Sequence, residues 1–111
     1  MRVLGFSKKW SKLYQPDFTT FRYARKDRDW EIEEKVQIVY HPRSKDREVL
    51  GFAEIVKKEC GKITDYGFVT DAVAKEDGFA DRQSMLVWFQ ETYTQEQICS
   101  KPMNKLTLRR I

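Results

Sequence analysis

The chain has 111 residues, of which 41% are hydrophobic, 14% aromatic and 34% charged, and its formal net charge is +4. That length suits one domain over 1–111 and leaves little room for two. No apolar run approaches the ~20 residues of a membrane helix, and the Met1–Phe6 stretch is too short for the apolar part of a signal peptide, so no membrane contact and a cytoplasmic location are expected. Cys60 and Cys99 are the only cysteines, and His41 is the only histidine. These do not make a zinc site. No metal or cofactor is expected, and the two thiols read as reduced and structural.

The distribution of charge says more than its sum. Residues 1–26 carry Arg2, Lys8, Lys9, Lys12, Arg22, Arg25 and Lys26 against the single acid Asp17, and residues 101–111 carry Lys101, Lys105, Arg109 and Arg110 with no acid. The segment 51–100 is net acidic. If the two termini meet in space, one face of the domain is basic and attracts phosphate backbones. An ordinary solvated surface explains the same charges equally well.

In chain order, Arg2 to Phe6 reads as a strand. Trp10, Leu13 and Tyr14 have helical spacing for a turn or two, which Pro16 ends. Thr19 to Ala24 is rich in β-branched and aromatic residues and reads as a strand. Val36–Tyr40 and Val49–Val56 flank the polar turn His41–Asp46 and form a predicted hairpin, with Gly51 marking a bulge or a close backbone approach. Thr70 caps a short predicted helix through Lys75, stopped at Gly78. Asp81 caps a longer one over 82–94, whose Met85, Trp88 and Phe89 form a stripe that reads as a core face. Leu106 to Ile111 closes the chain as a strand. Strands outnumber helices and lie at both ends, an order that suits an α+β domain, a small mixed barrel with short helices at its side.

Four short motifs add to this. They are Phe18-Thr19-Thr20-Phe21-Arg22, Asp29-Trp30-Glu31-Ile32-Glu33-Glu34-Lys35-Val36, Leu50-Gly51-Phe52-Ala53-Glu54-Ile55, and Asp77-Gly78-Phe79 followed by Leu86, Trp88, Phe89 and Tyr93. In this order they resemble the ASCH family, a branch of the PUA-like β-barrel fold, over nearly the whole chain. The resemblance implies a pseudobarrel with a cleft lined by the Thr-x-Arg strand and the acid-Gly-Phe turn. It implies RNA or a nucleotide-like ligand as partner. Some relatives are similar to amidohydrolases that deacetylate N4-acetylcytidine with a Lys, a Thr and a Glu. The Thr position matches Thr20 and the acid position Asp77, with Glu76 beside it. The Lys position is Asp17, and an Asp has no amine to activate a nucleophile. Lys12 is close enough in sequence to reach the cleft from the preceding turn.

The candidate ligand-binding residues are therefore Lys12, Asp17, Thr20, Arg22 and Asp77, with Thr20 and Asp77 catalytic if the chain is a hydrolase. Thr20 offers a hydroxyl that both donates and accepts, or is simply a strand residue. Arg22 offers a planar fork for phosphate or a base edge, or an ion pair with Asp17 or Asp77. Asp77 is otherwise the polar end of a helix. Trp10, Tyr14 and Tyr23 can stack on bases, though core packing is the simpler role for Trp10, and Tyr23 should face away from Arg22. Arg43, Lys45 and Arg47 either touch phosphates or form a solvated turn. The expectation is an RNA-binding domain that holds one nucleotide beside the Thr20/Arg22 strand. The alternative is an amidohydrolase acting on a modified nucleoside, and a third reading is a regulatory ligand- or protein-binding module.

Overall fold

The computed structural model describes all 111 residues and forms an α+β domain. Five strands make one mixed sheet: β1 (Arg2–Phe6), β2 (Asp17–Arg22), β3 (Lys35–Tyr40), β4 (Glu48–Gly61) and β5 (Met103–Arg110), in the spatial order β1-β3-β4-β5-β2. Only β1 and β3 run parallel. The expected hairpin is β3–β4, but β4 is longer than predicted, at 14 residues. Its first half pairs with β3 and its second half with β5, and the register slips near Leu50 and again near Val56. Each slip is a bulge that increases local twist, so the sheet curls. Gly51 sits beside the first bulge at φ 145, and the Arg110 guanidinium occupies the space a Cβ would need.

The curl brings β1 and β2 to face each other as free edges, and they exchange no strand-to-strand hydrogen bond. The sheet is thus not closed, where the sequence suggests a small mixed barrel. Side chains span the gap instead. Arg22 Nη2 of β2 donates to the Gly5 carbonyl of β1 at 2.6 Å, and the Phe6 and Phe18 rings meet edge-on with centroids 6.4 Å apart.

The side-chain alternation of β2 gives the domain two cores. Phe18 points into the curl with Leu4, Phe6, Val36, Ile38, Ile55, Leu106 and Leu108. Phe21 points the other way, into a layer with Ile63, Met85, Phe89, Ile98 and Met103. Burying each such side chain contributes ~1.5–3 kcal/mol. Helices α1 (Asp71–Glu76), α2 (Arg82–Thr92) and α3 (Gln95–Ser100) carry this second layer. Thr70 and Asp81 cap α1 and α2 as expected, accepting from Val73 N and Ser84 N. The helix predicted over 82–94 stops at Thr92, and a separate α3 follows. Thr94 and Gln97 form a reciprocal capping box that starts this new helix.

No helix is long and apolar enough to cross a membrane. Cys60 and Cys99 are free and exposed, so neither thiol packs in a core. The termini do meet, since β2 pairs with β5, but much of their charge is internal. Arg2 pairs with Glu34, Lys105 is buried near Glu76, and Arg110 donates to the Leu13 and Leu50 carbonyls.

Candidate functional site

The gap between β1 and β2 is roofed by α2 and closed below by a 3-10 turn over Ser11–Tyr14, leaving a cleft of about 230 Å³. Its polar floor is Lys12, Thr20, Arg22 and Asp77, and its apolar wall includes Trp10, Phe79, Trp88 and Tyr93.

Local sequence explains each placement. Leu13 is fully buried and pins the 3-10 turn, which carries Lys12 inward. Asp77 is the C-terminal cap residue of α1. Gly78 follows at φ 107, a conformation side-chain-bearing residues rarely adopt, and a Cβ there would lie 3.3 Å from Trp10 Cε3. The turn therefore packs Gly78 against the Trp10 ring and leaves Asp77 facing Lys12. Thr20 and Arg22 share one face of β2, and Arg22 Nε donates to Thr20 Oγ1 at 3.2 Å.

The floor is built on an ion pair. Lys12 Nζ lies 3.2 Å from Asp77 Oδ1, and Thr19 Oγ1 donates to the same oxygen at 2.9 Å. Burial pushes the Lys12 ammonium below the usual lysine range, against the pull of Asp77 and with the repulsion of Arg22. Burial likewise pushes the Asp77 carboxyl up, against Lys12 and Thr19. Burial also works against the Arg22 charge. The site thus holds a partly desolvated amine, a carboxyl and a hydroxyl in one recess, groups able to donate, accept or carry a proton.

Of the predicted residues, Lys12, Thr20, Arg22 and Asp77 come together. Asp17 does not. It begins β2 with its side chain 62% exposed and 3.6 Å from Arg109, in a separate groove with Lys75 and Glu76 behind the Lys12–Asp77 pair. The reason is the pleat: Asp17 is an odd number of residues from Thr20, so the two point to opposite faces. Arg22 forms no ion pair with Asp17 or Asp77 and instead lies over the Phe6 ring at 4.6 Å. Tyr23 faces away from Arg22, as expected, and packs edge-on against Tyr93 at 5.0 Å.

Trp88, read as part of a core-facing stripe, lies in the cleft wall, and Trp10, for which core packing was the simpler role, packs against the first core and also lines the cleft. Trp10 meets Phe79 and Trp88 edge-on at 5.2 and 5.3 Å. Thr19 was not singled out in the sequence. Its signal was strand alternation, which turns it toward the helical layer that carries Asp77. No protein-family model matches the chain, and neither does a curated protein or a solved structure.

Proposed function

We propose that the cleft takes one base of an RNA or a nucleotide-like ligand, and that the domain is an ASCH-type, PUA-like module. The observation that supports this is a single recess combining indole and phenyl rings with a buried hydrogen-bonding floor. A planar heterocycle needs an apolar wall for its faces and mixed donors and acceptors for its edge. Lys12 donates, Asp77 accepts and Thr20 does either. At about 230 Å³ the recess is smaller than a drug-sized site, which favours one base over an extended ligand. Titrating short single-stranded RNAs while following Trp10 and Trp88 fluorescence tests this reading. Binding should weaken steeply with salt, and Trp88→Ala should cost ~1–3 kcal/mol. Weak binding of every RNA, indifferent to salt and to Trp88→Ala, would overturn it.

A second reading is hydrolysis of an amide on such a base, as in N4-acetylcytidine. It is favoured by Lys12, a partly desolvated amine 3.2 Å from Asp77. A lysine from the preceding turn supplies the group that Asp17 lacks. In this reaction Lys12 must first give up its proton; the free amine then takes one from the attacking water, hydroxide adds to the acyl carbon, and the C–N bond breaks as the leaving nitrogen is protonated, giving acetate and the free exocyclic amine. Release of acetate from N4-acetylcytidine, abolished in Lys12→Met and Thr20→Val, is the expected result. No turnover at substrate concentrations that saturate binding would exclude it.

A further inference from the structure

A second hollow, about 520 Å³ and more open, adjoins the cleft across Gly5, Phe6, Ser7 and Arg22, which line both. Its remaining lining comes from the β3–β4 turn, His41 to Ser44, and no carboxylate faces it. We propose that this hollow is a phosphate site, so that the occupant of the cleft is a nucleotide and not a free nucleoside. The proposal deepens the base-binding reading and rests on it for the identity of the attached group.

Arg22 carries the argument. Its guanidinium is fixed by Nε on Thr20 Oγ1, by Nη2 on the Gly5 carbonyl, and by the Phe6 ring beneath it. Nη1 makes no hydrogen bond, and no carboxylate lies within 4.0 Å of the group. A half-buried guanidinium without a counter-charge is costly, and an anion reaching it from the hollow would relieve that cost. Arg43 supplies a second charge. It is exposed, lines the hollow, and makes neither a hydrogen bond nor an ion pair. Arg2, Arg25, Arg28 and Arg109 have acidic partners, and Arg47, Arg82 and Arg110 donate to backbone carbonyls, so Arg43 is the arginine with neither. The hollow's shape is held by His41, whose Nε2 donates to the Ser7 carbonyl at 2.9 Å and whose ring stacks on Tyr40 at 3.9 Å. Paired arginine forks suit the oxygens of a phosphate monoester or diester. The shared wall at Arg22 sets the spacing: a base in the cleft puts its sugar at the rim and its phosphate in the hollow.

The test uses four probes on the full chain: cytidine, cytidine monophosphate, a single-stranded hexanucleotide RNA and inorganic phosphate. Cytidine monophosphate should bind tighter than cytidine by about tenfold, the worth of one charge-assisted contact. Arg43→Ala should shrink that ratio, and Arg43→Glu should invert it. Because Arg43 is exposed and makes no hydrogen bond or ion pair within the chain, both variants should unfold at the wild-type denaturant midpoint. A hexanucleotide that binds tighter still, with a salt slope reduced by about one in Arg43→Ala, identifies a phosphodiester as the source. Equal binding of monophosphate and hexanucleotide identifies a terminal phosphate. Cytidine and its monophosphate binding alike overturns the phosphate site and leaves the base cleft standing. Inorganic phosphate binding that Arg43→Glu abolishes, with no gain from an attached base, upholds the phosphate site and overturns the base cleft.

Discussion

Lys12 Nζ sits 3.2 Å from Asp77 Oδ1, with the two side chains only 9% and 6% exposed. Breaking a buried pair by removing one partner costs about 3–5 kcal/mol, because the other charge is stranded. Lys12→Met should therefore lose stability of that order in denaturant unfolding. Pairing it with Asp77→Asn should recover much of the loss, since the amide is neutral and its oxygen still accepts from Thr19.

The same pair predicts a pH dependence. Burial already holds the Asp77 carboxyl above its ordinary value of 3.8, and removing the ammonium raises it further. A carboxyl raised in the folded state binds its proton more tightly there than in the unfolded chain. Its contribution is then fully favourable below the unfolded value and is lost as pH rises through the folded one. The stability deficit of Lys12→Met should be small near pH ~3.5 and should widen toward pH ~7. A deficit that stays constant across this range would mean that Asp77 does not govern it.

Arg22 is the tie between the two free edges of the sheet. Arg22→Ala leaves the Gly5 carbonyl without its donor and uncovers Phe6, for an expected loss of roughly 1–3 kcal/mol. Arg22→Lys keeps the charge but not the fork, so it should restore only part of this. Hydrogen exchange should locate the loosening at β1 and the start of the following loop. Uniform loss of protection across β3, β4 and β5 would argue against an edge tie.

Much of this arrangement was legible beforehand, and the failures have physical reasons. Thr20 and Arg22 were read as sharing a face because β2 is a strand of period two, and that same period contradicts Asp17 as a cleft residue. Sequence alone does not fix where Lys12 points, because a 3-10 turn has no hydrophobic repeat to set its direction. Trp88 reads as a core residue and lines the cleft instead, since an aromatic wall and a core face have the same spacing, while Trp10 both packs on the core and lines the cleft. The open edge between β1 and β2 follows from long-range pairing, and local pattern does not report it. Helix α3 lies outside the predicted elements although Thr94 and Gln97 carry a capping signature, because that signature overlaps the end of the helix predicted over 82–94.

Gly78 should tolerate no side chain. At φ 107 any L-residue is strained, and such strain costs about 1–3 kcal/mol. The added methyl of Gly78→Ala would also press on Trp10, 3.3 Å from its position. The variant should lose stability and should shift Trp10 emission as the ring moves from the cleft wall. Unchanged emission together with unchanged stability would show that the turn under Trp10 adjusts freely.

Arg2 and Glu34, neither of which lines the cleft, predict a second pH dependence. Arg2 donates to both carboxylate oxygens, Nε to Oε2 at 2.6 Å and Nη2 to Oε1 at 2.5 Å, and its guanidinium lies 4.4 Å over the Trp30 ring. The Arg2 hydrogen bond holds the Glu34 carboxyl below its ordinary value of 4.5, helped by the Glu31 backbone amide and Arg28, while burial opposes it. A carboxyl depressed in the folded state gives stability that is fully present above the unfolded value and is lost as pH falls through the folded one. Glu34→Gln should therefore be weaker than the parent by on the order of 1–3 kcal/mol at neutral pH, with the gap closing in acid. Because Arg2 also donates to the Arg28 and Asp29 carbonyls, the variant should keep the segment around Trp30 folded and lose only the carboxylate's share. Thermal unfolding of both proteins between pH ~3 and pH ~7 measures the gap, and parallel curves over that range would assign the acid sensitivity to another group.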